Sequence, residues 1–106
     1  MKNMKQVQTL RENFMNKNQN VNLKLNNNNQ LELNLTNIKF ENICKLLEKI
    51  NPVIIALDHH PEIIYSYNFI TIKSTTHEKD NTITQKDFDL IESIFYIYFN
   101  LCRENL

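Results

Sequence analysis

Three histidines carry the clearest chemical potential in this chain, and two of them are adjacent. The pair stands in Asp58-His59-His60-Pro61-Glu62, and the third in Thr75-Thr76-His77-Glu78. With an unperturbed pKa of about 6.5, an imidazole can give or take a proton near neutral pH, so a histidine cluster suits general acid/base chemistry. The pair alone has a plainer reading. Helices often end on histidine followed by proline, because imidazolium favours the negative end of the helix dipole and proline stops the helix. His77 gives the chemical reading its weight if the chain brings it back beside the pair, which is a question about the elements between and around them.

Residues 62 to 73 are rich in β-branched and aromatic side chains, with Tyr65, Tyr67 and Phe69 on one face and Ile64, Ile70 and Ile72 on the other. This predicts a strand covered on both sides, or one with an early bend. Such a strand would return the Thr-Thr-His-Glu segment to the side of the His-His-Pro turn. Before the pair, Phe40, Ile43, Leu47, Ile50, Ile54 and Leu57 recur at steps of three and four. That period is what one helix from about Ile38 to Leu57, with Asn37 as its cap, would require. Pro52 then lies inside it, losing the bond to the Glu48 carbonyl and bending the axis at a cost of about 3 kcal/mol. The competing assignment is a buried strand over Val53, Ile54 and Ile55. After His77, Thr84 precedes Asp87 by the capping-box spacing and starts a helix reaching about Arg103.

The first half supplies a scaffold. Val7, Leu10 and Phe14 give a short helix over residues 3 to 15. Val21, Leu23 and Leu25, then Leu31, Leu33 and Leu35, alternate with polar residues, so two strands with one wet face are expected. A loop over Asn26 to Gln30 would pair Leu25 with Leu31 and Leu23 with Leu33, and set Lys24 opposite Glu32. Asparagine can replace glycine in such a turn because it tolerates positive φ. The whole reads as a small single α+β domain over residues 1 to 106, an antiparallel sheet with helices on one face. The order is αββαββα, or αββαβα if residues 62 to 73 form one strand.

The last helix has a narrow polar stripe of Asp89, Ser93, Tyr96, Asn100 and Arg103, and is otherwise almost wholly apolar. It is therefore central in its domain or part of a subunit interface. As the final element of a small chain, an interface joining a homodimer or homotetramer is the expectation.

Composition removes several function classes. Twelve basic and twelve acidic side chains cancel, which leaves no footprint for direct nucleic-acid or anionic-membrane binding. Glycine is absent, and with it the glycine-dependent phosphate loops. The apolar runs are short of a bilayer span and the amino terminus lacks a secretory core, so a soluble cytoplasmic protein is expected. Cys44 and Cys102 fall on the apolar sides of the predicted helices, and no disulfide is expected.

The stretch from Leu57 to Leu90 resembles the signature half of the pterin-4a-carbinolamine dehydratases, also known as dimerisation cofactors of a homeodomain transcription factor. It runs Leu-Asp-His-His-Pro-Glu, a tyrosine-containing strand, Thr-His-Glu, a short loop and Thr-Gln-Lys-Asp-Phe-Asp-Leu. The first half is similar to the family in its order of elements, helix, two strands and a long helix, and it is mainly this likeness that favours the helix over a strand at Val53 to Ile55. The departures are Ile55, where the family usually has a charged residue, a longer glycine-free loop after Glu78, and Pro52. The resemblance implies a hydro-lyase that converts a 4a-hydroxytetrahydropterin to quinonoid dihydropterin and water in tetrahydrobiopterin recycling, with no cofactor and no metal. It makes His59, His60 and His77 the catalytic histidines of the pterin site, with His60 and His77 sharing the acid and base roles and His59 orienting the substrate. Pro61 shapes the turn, Thr76, Glu78 and the Lys79 backbone line the pocket, and Asp87 matches the family's aspartate near the site. A transcription-factor partner, and with it a nuclear location, is the further implication.

Two rivals come from other classes. Asp58, His59, His60 and His77 are all metal-ligand types, but adjacent residues seldom both point at one ion without a special turn. The alternative is a non-enzymatic oligomerisation or coactivator module in which the histidines are incidental.

Overall fold

The computed structural model describes residues 2–80 and 82–104. Its elements run α1 (Lys2–Lys17), β1 (Val21–Leu25), β2 (Leu31–Thr36), α2 (Phe40–Leu57), β3 (Glu62–Tyr65), β4 (Phe69–Ser74), a 3₁₀ turn (His77–Lys79) and α3 (Gln85–Glu104). The αββαββα order and the α+β class are those expected. All strand pairs are antiparallel, in the spatial order β1-β2-β4-β3.

The first hairpin forms in the expected register, with Leu25 opposite Leu31, Leu23 opposite Leu33 and Lys24 opposite Glu32. Its loop is built by asparagine. The Asn26 side-chain oxygen accepts from the backbone N–H groups of Asn28 and Gln30 at 2.9 Å each, and Asn29 takes the left-handed φ of 60°. On the wet face Glu32 accepts from Asn26 and Asn34 and lies 3.5 Å from the Lys24 ammonium. Partial burial raises the Glu32 pKa, but the two amides and Lys24 outweigh it and hold the carboxyl below its ordinary value.

Residues 62 to 73 depart from the single-strand alternative. They form a second hairpin, β3 and β4, closed where the Ser66 N–H donates to the Phe69 carbonyl. Nor is β4 covered on both sides. Ile70, Ile72 and Ser74 are buried, while Phe69, Thr71 and Lys73 alternate with them on the outer face. The polar residues of Ser66 to Asn68 favour a turn over a continuous strand.

Helix α2 runs unbroken through Pro52, so the helical period over residues 40 to 57 outweighs the local β-preference of Val53 to Ile55. Two details differ from expectation. Lys39, with extended backbone and no side-chain cap bond, precedes the helix, whereas Asn37 has the left-handed φ of 53°, a conformation that cannot present an N-cap oxygen. The buried stripe is Ile43, Leu46, Ile50 and Ile54. Phe40 and Leu57, at its predicted ends, are exposed, because the helix faces the core with Leu46 rather than along the full predicted row. Cys44 is likewise exposed, and both cysteines are free.

Helix α3 is central in its domain, one of the two alternatives its composition allowed. Of Phe95, Tyr98 and Phe99, the aromatic residues that motivated the interface expectation, Phe95 and Tyr98 are 0% and 2% exposed and Phe99 is half-buried. Phe14 of α1 stacks on Phe95 with ring centroids 3.8 Å apart. The inward leucines and isoleucines of the sheet join α3 and the inner row of α2 in one core. Three covering surfaces, not one sheet, absorb its apolar faces. Among the described residues no helix is long and apolar enough to cross a membrane.

The Phe14–Phe95 stack joins α1 to α3, beside the packing of α1 on β1 and the burial of Val7. Replacing Phe14 by alanine should cost about 3–5 kcal/mol of unfolding free energy in urea. A loss under about 1 kcal/mol would show that α1 contributes little to the core.

Candidate active site

The pair of histidines sits where α2 stops. Asp58 adopts φ 50° and ψ 46°, and its N–H donates to the Ile55 carbonyl while the His59 N–H reaches the Ile54 carbonyl. This is a Schellman-type ending, with aspartate tolerating the left-handed position usually given to glycine. Reversing the chain here sends neighbouring side chains apart. His59 turns inward and is 7% exposed, while His60 stays at the surface.

His59 is met by Asp87, the third residue of α3, whose exposure is 0%. Its Oδ1 lies 2.6 Å from His59 Nε2 and accepts from Ser74 Oγ at 2.6 Å. Its Oδ2 accepts from Thr76 Oγ at 2.7 Å and from the Thr84 N–H at 2.8 Å. Burial raises the Asp87 pKa, but the bonds from Ser74, His59, Thr84 and Thr76 together outweigh it and hold the carboxyl below its ordinary value. An ionised carboxylate only accepts hydrogen bonds, so His59 Nε2 must carry the proton between them. The Thr76 hydrogen is committed to Asp87, so Thr84 Oγ is the donor in the 2.8 Å contact between the two threonine hydroxyls. The expected capping box is thus half made. Asp87 reaches back to the Thr84 N–H, but the Thr84 hydroxyl turns to Thr76.

The second hairpin closes the site. Ser74 ends β4, and Thr76 follows in an isolated bridge to Thr82, with its N–H donating to the Thr82 carbonyl at 2.9 Å. His77 opens the 3₁₀ turn directly after. The doubling back expected of one strand is accomplished by two.

His59, His60 and His77 line one cleft of about 250 Å³ with Asp58 and Thr75. An adjoining hollow of about 250 Å³ shares His60, Thr75 and His77 and extends along Gln30, Pro61, Glu62 and Lys73. The three expected histidines and Pro61 are therefore together. Other expected pocket residues lie elsewhere. Asp87 and Thr76, at 0% and 3% exposure, are enclosed and hold His59 and the start of α3 rather than facing the cleft. Lys79 lines a separate hollow with Thr76, Thr84, Gln85 and Lys86, and the Glu78 side chain lies outside the described residues. Ser74 and Thr75 were not among the expected site residues. Only the inward phase of β4, unknown until its register is set, marks Ser74 as a polar group on an apolar face. Among the described residues no three His, Cys, Asp or Glu side chains are grouped to hold a metal ion.

Residues 4–96 match the family model Pterin 4 alpha carbinolamine dehydratase. The chain belongs to this family. Relatives that carry the provisional name pterin-4-alpha-carbinolamine dehydratase include proteins of Picosynechococcus sp., 44% identical over 49% of this chain and 59% of the relative, and of Sulfolobus acidocaldarius, 36% identical over 53% of this chain and 64% of the relative. The matched stretch thus spans about three fifths of those relatives' length. A crystal structure from Brucella melitensis, described as a transcriptional coactivator/pterin dehydratase, superposes with a TM-score of 0.65 at 18% identity. That match covers 82% of this chain and 90% of the other and establishes a shared fold.

The Asp87 network makes stability depend on acid in this member of the pterin-4a-carbinolamine dehydratase family. A carboxyl whose folded pKa lies below its unfolded value stabilises the fold fully above the unfolded value, about 3.9 for aspartate. That contribution is lost as pH falls through the folded value. Urea unfolding followed downward from about pH 6 should therefore show stability falling below pH about 4. The fall should persist in Glu32→Gln, which removes the other depressed carboxyl among the described residues. Stability independent of pH across that window in Glu32→Gln would contradict the depressed Asp87.

Proposed function

We propose that the protein is a 4a-hydroxytetrahydropterin dehydratase working by histidine acid/base catalysis. The observation that carries this reading is the convergence of His59, His60 and His77 on one cleft in a chain of this family. The reaction needs little more. A proton delivered to the C4a hydroxyl lets the C–O bond break and water leave, and the proton on N5 goes to a base as the C4a–N5 double bond forms. His60 and His77, both at the surface of the cleft, are the pair to exchange those protons. His59 cannot move as freely, because Asp87 holds Nε2, and it orients the ring. No step requires a cofactor.

The protein also self-associates in this reading, and the surface differs from the one expected on α3. Most of the large apolar side chains left in water lie on α2, at Phe40, Ile55 and Leu57, and on the second hairpin, at Ile64, Tyr65, Tyr67 and Phe69, with Met4 and Met15 on α1 and Tyr96 on α3 besides. A surface of this kind suits another copy of the chain or a protein partner, which is the support for a coactivator role beside catalysis. The cytoplasm, with the nucleus where such a partner is bound, is the location that goes with both roles.

Stopped-flow dehydration of a chemically generated 4a-hydroxytetrahydropterin tests the enzymatic reading. Alanine at His60 or at His77 should lower kcat by about 10²- to 10⁴-fold, down to the spontaneous rate, with a smaller effect on substrate affinity. The double variant should be little worse than the more damaging single one if the two act in one transition state. Native rates in both single variants, with unchanged pterin affinity, would leave the association module as the function.

A further inference from the structure

The inward face of β4 reads Ile70, Ile72, Ser74, and all three side chains are at most 1% exposed. A hydroxyl in a hydrocarbon row costs stability unless it is bonded. Ser74 Oγ spends its hydrogen on Asp87 Oδ1 at 2.6 Å. The two carboxylate oxygens divide their work. Oδ2 takes Thr76 and the Thr84 N–H, which ties the 3₁₀ segment and the first turn of α3 together. Among the described residues Oδ1 takes Ser74 and His59 alone, so Ser74 is there the other group on the oxygen that meets the cleft histidine.

We propose that Ser74 is a positioning residue of the site: its hydroxyl aims Asp87 Oδ1 at His59, which keeps the His59 proton on Nε2 and presents Nδ1 to the pterin. The hydrogen bond of the His59 ring runs through Nε2, and among the described residues no buried side-chain nitrogen or oxygen lacks a partner. With no hydrogen bond of its own among the described residues, Nδ1 is therefore not fully enclosed, and His59 lines the cleft. Thr76 cannot substitute for Ser74, because its bond is to the other oxygen. Without Ser74 the carboxylate keeps its helix-capping bonds but is free to pivot about Oδ2, and His59 follows it. The naming of pterin as the ligand rests on the dehydratase reading, whereas the control of His59 by Ser74 does not.

The test uses the full chain with Ser74→Ala, and with Ser74→Cys, nearly the same size but a weak donor, should the alanine variant fail to fold. Nitrogen-15 NMR of the histidine side chains reports which ring nitrogen of His59 is protonated, and the exchange rate of the Nε2 proton reports how firmly it is held. In the native protein His59 should be the Nε2–H form with slow exchange. In the variants that proton should exchange at least about tenfold faster, and kcat for dehydration should fall about tenfold with KM within about twofold. Ser74→Thr, which keeps the hydroxyl, should restore both. Native His59 resonances and exchange in a folded Ser74→Ala or Ser74→Cys protein would overturn the proposal. If the native protein dehydrated no pterin, the dehydratase reading would fall, and the His59 resonances alone would decide the role of Ser74.

Discussion

The arrangement depends on one buried carboxylate. Asp87 has no exposed surface, and an ionised group removed from water is tolerated only when its lone pairs are taken up by donors. Four donors do so, from four places in the chain: the turn after α2, the end of β4, the bridge before the 3₁₀ turn, and the start of α3. Because losing a partner would leave a buried charge undercompensated, these four segments are held to one another more tightly than apolar packing alone would require. The same atoms that close the fold therefore set the geometry of the cleft.

This explains how neighbouring histidines come to do different things. The left-handed Asp58 ends α2 and rotates the chain, so His59 points to the carboxylate and His60 to solvent. A ring held at 2.6 Å by a buried anion has a defined tautomer and orientation, whereas His60 and His77 stand at the surface. In the dehydratase reading the exposed rings would transfer protons and the held one would align the substrate. The hairpin of β3 and β4 carries His77 back to the same opening, and the bridge between Thr76 and Thr82 stops the following turn from drifting.

Burial in the helices follows from the same economy of surface. Helix α3 is almost apolar all round, and in isolation that composition suggests a partner subunit. It is instead covered by α1 through the Phe14–Phe95 stack, by α2, and by the leucine face of the sheet. The large apolar and aromatic side chains that remain in water lie on the outer row of α2, on the second hairpin, at Met4 and Met15 of α1, and at Tyr96 of α3.

The sequence by itself determined the features governed by local rules. Alternation and asparagine chemistry dictated the first hairpin to its register, because a one-residue slip would turn every leucine to water. The period over residues 40 to 57 allowed a helix through Pro52 and the family resemblance favoured it, and one lost backbone bond is outweighed by the buried face of Ile43, Leu46, Ile50 and Ile54. The order His-His-Pro, Thr-His-Glu and Thr-x-x-Asp, through its likeness to the family, indicated that the three histidines gather. Only the tertiary structure decided what each of them touches. Asp87 and Thr76 carry no local mark separating a substrate contact from a buried support, and Ser74 is recognisable only once β4 is paired with β2 and its inward face is known. Residues 62 to 73 held enough β-preference for one strand, and pairing across the turn at Ser66 to Asn68 made them two. These outcomes rest on contacts between segments distant in the chain, whose energies depend on what lies opposite and so cannot be read from any residue's own neighbours.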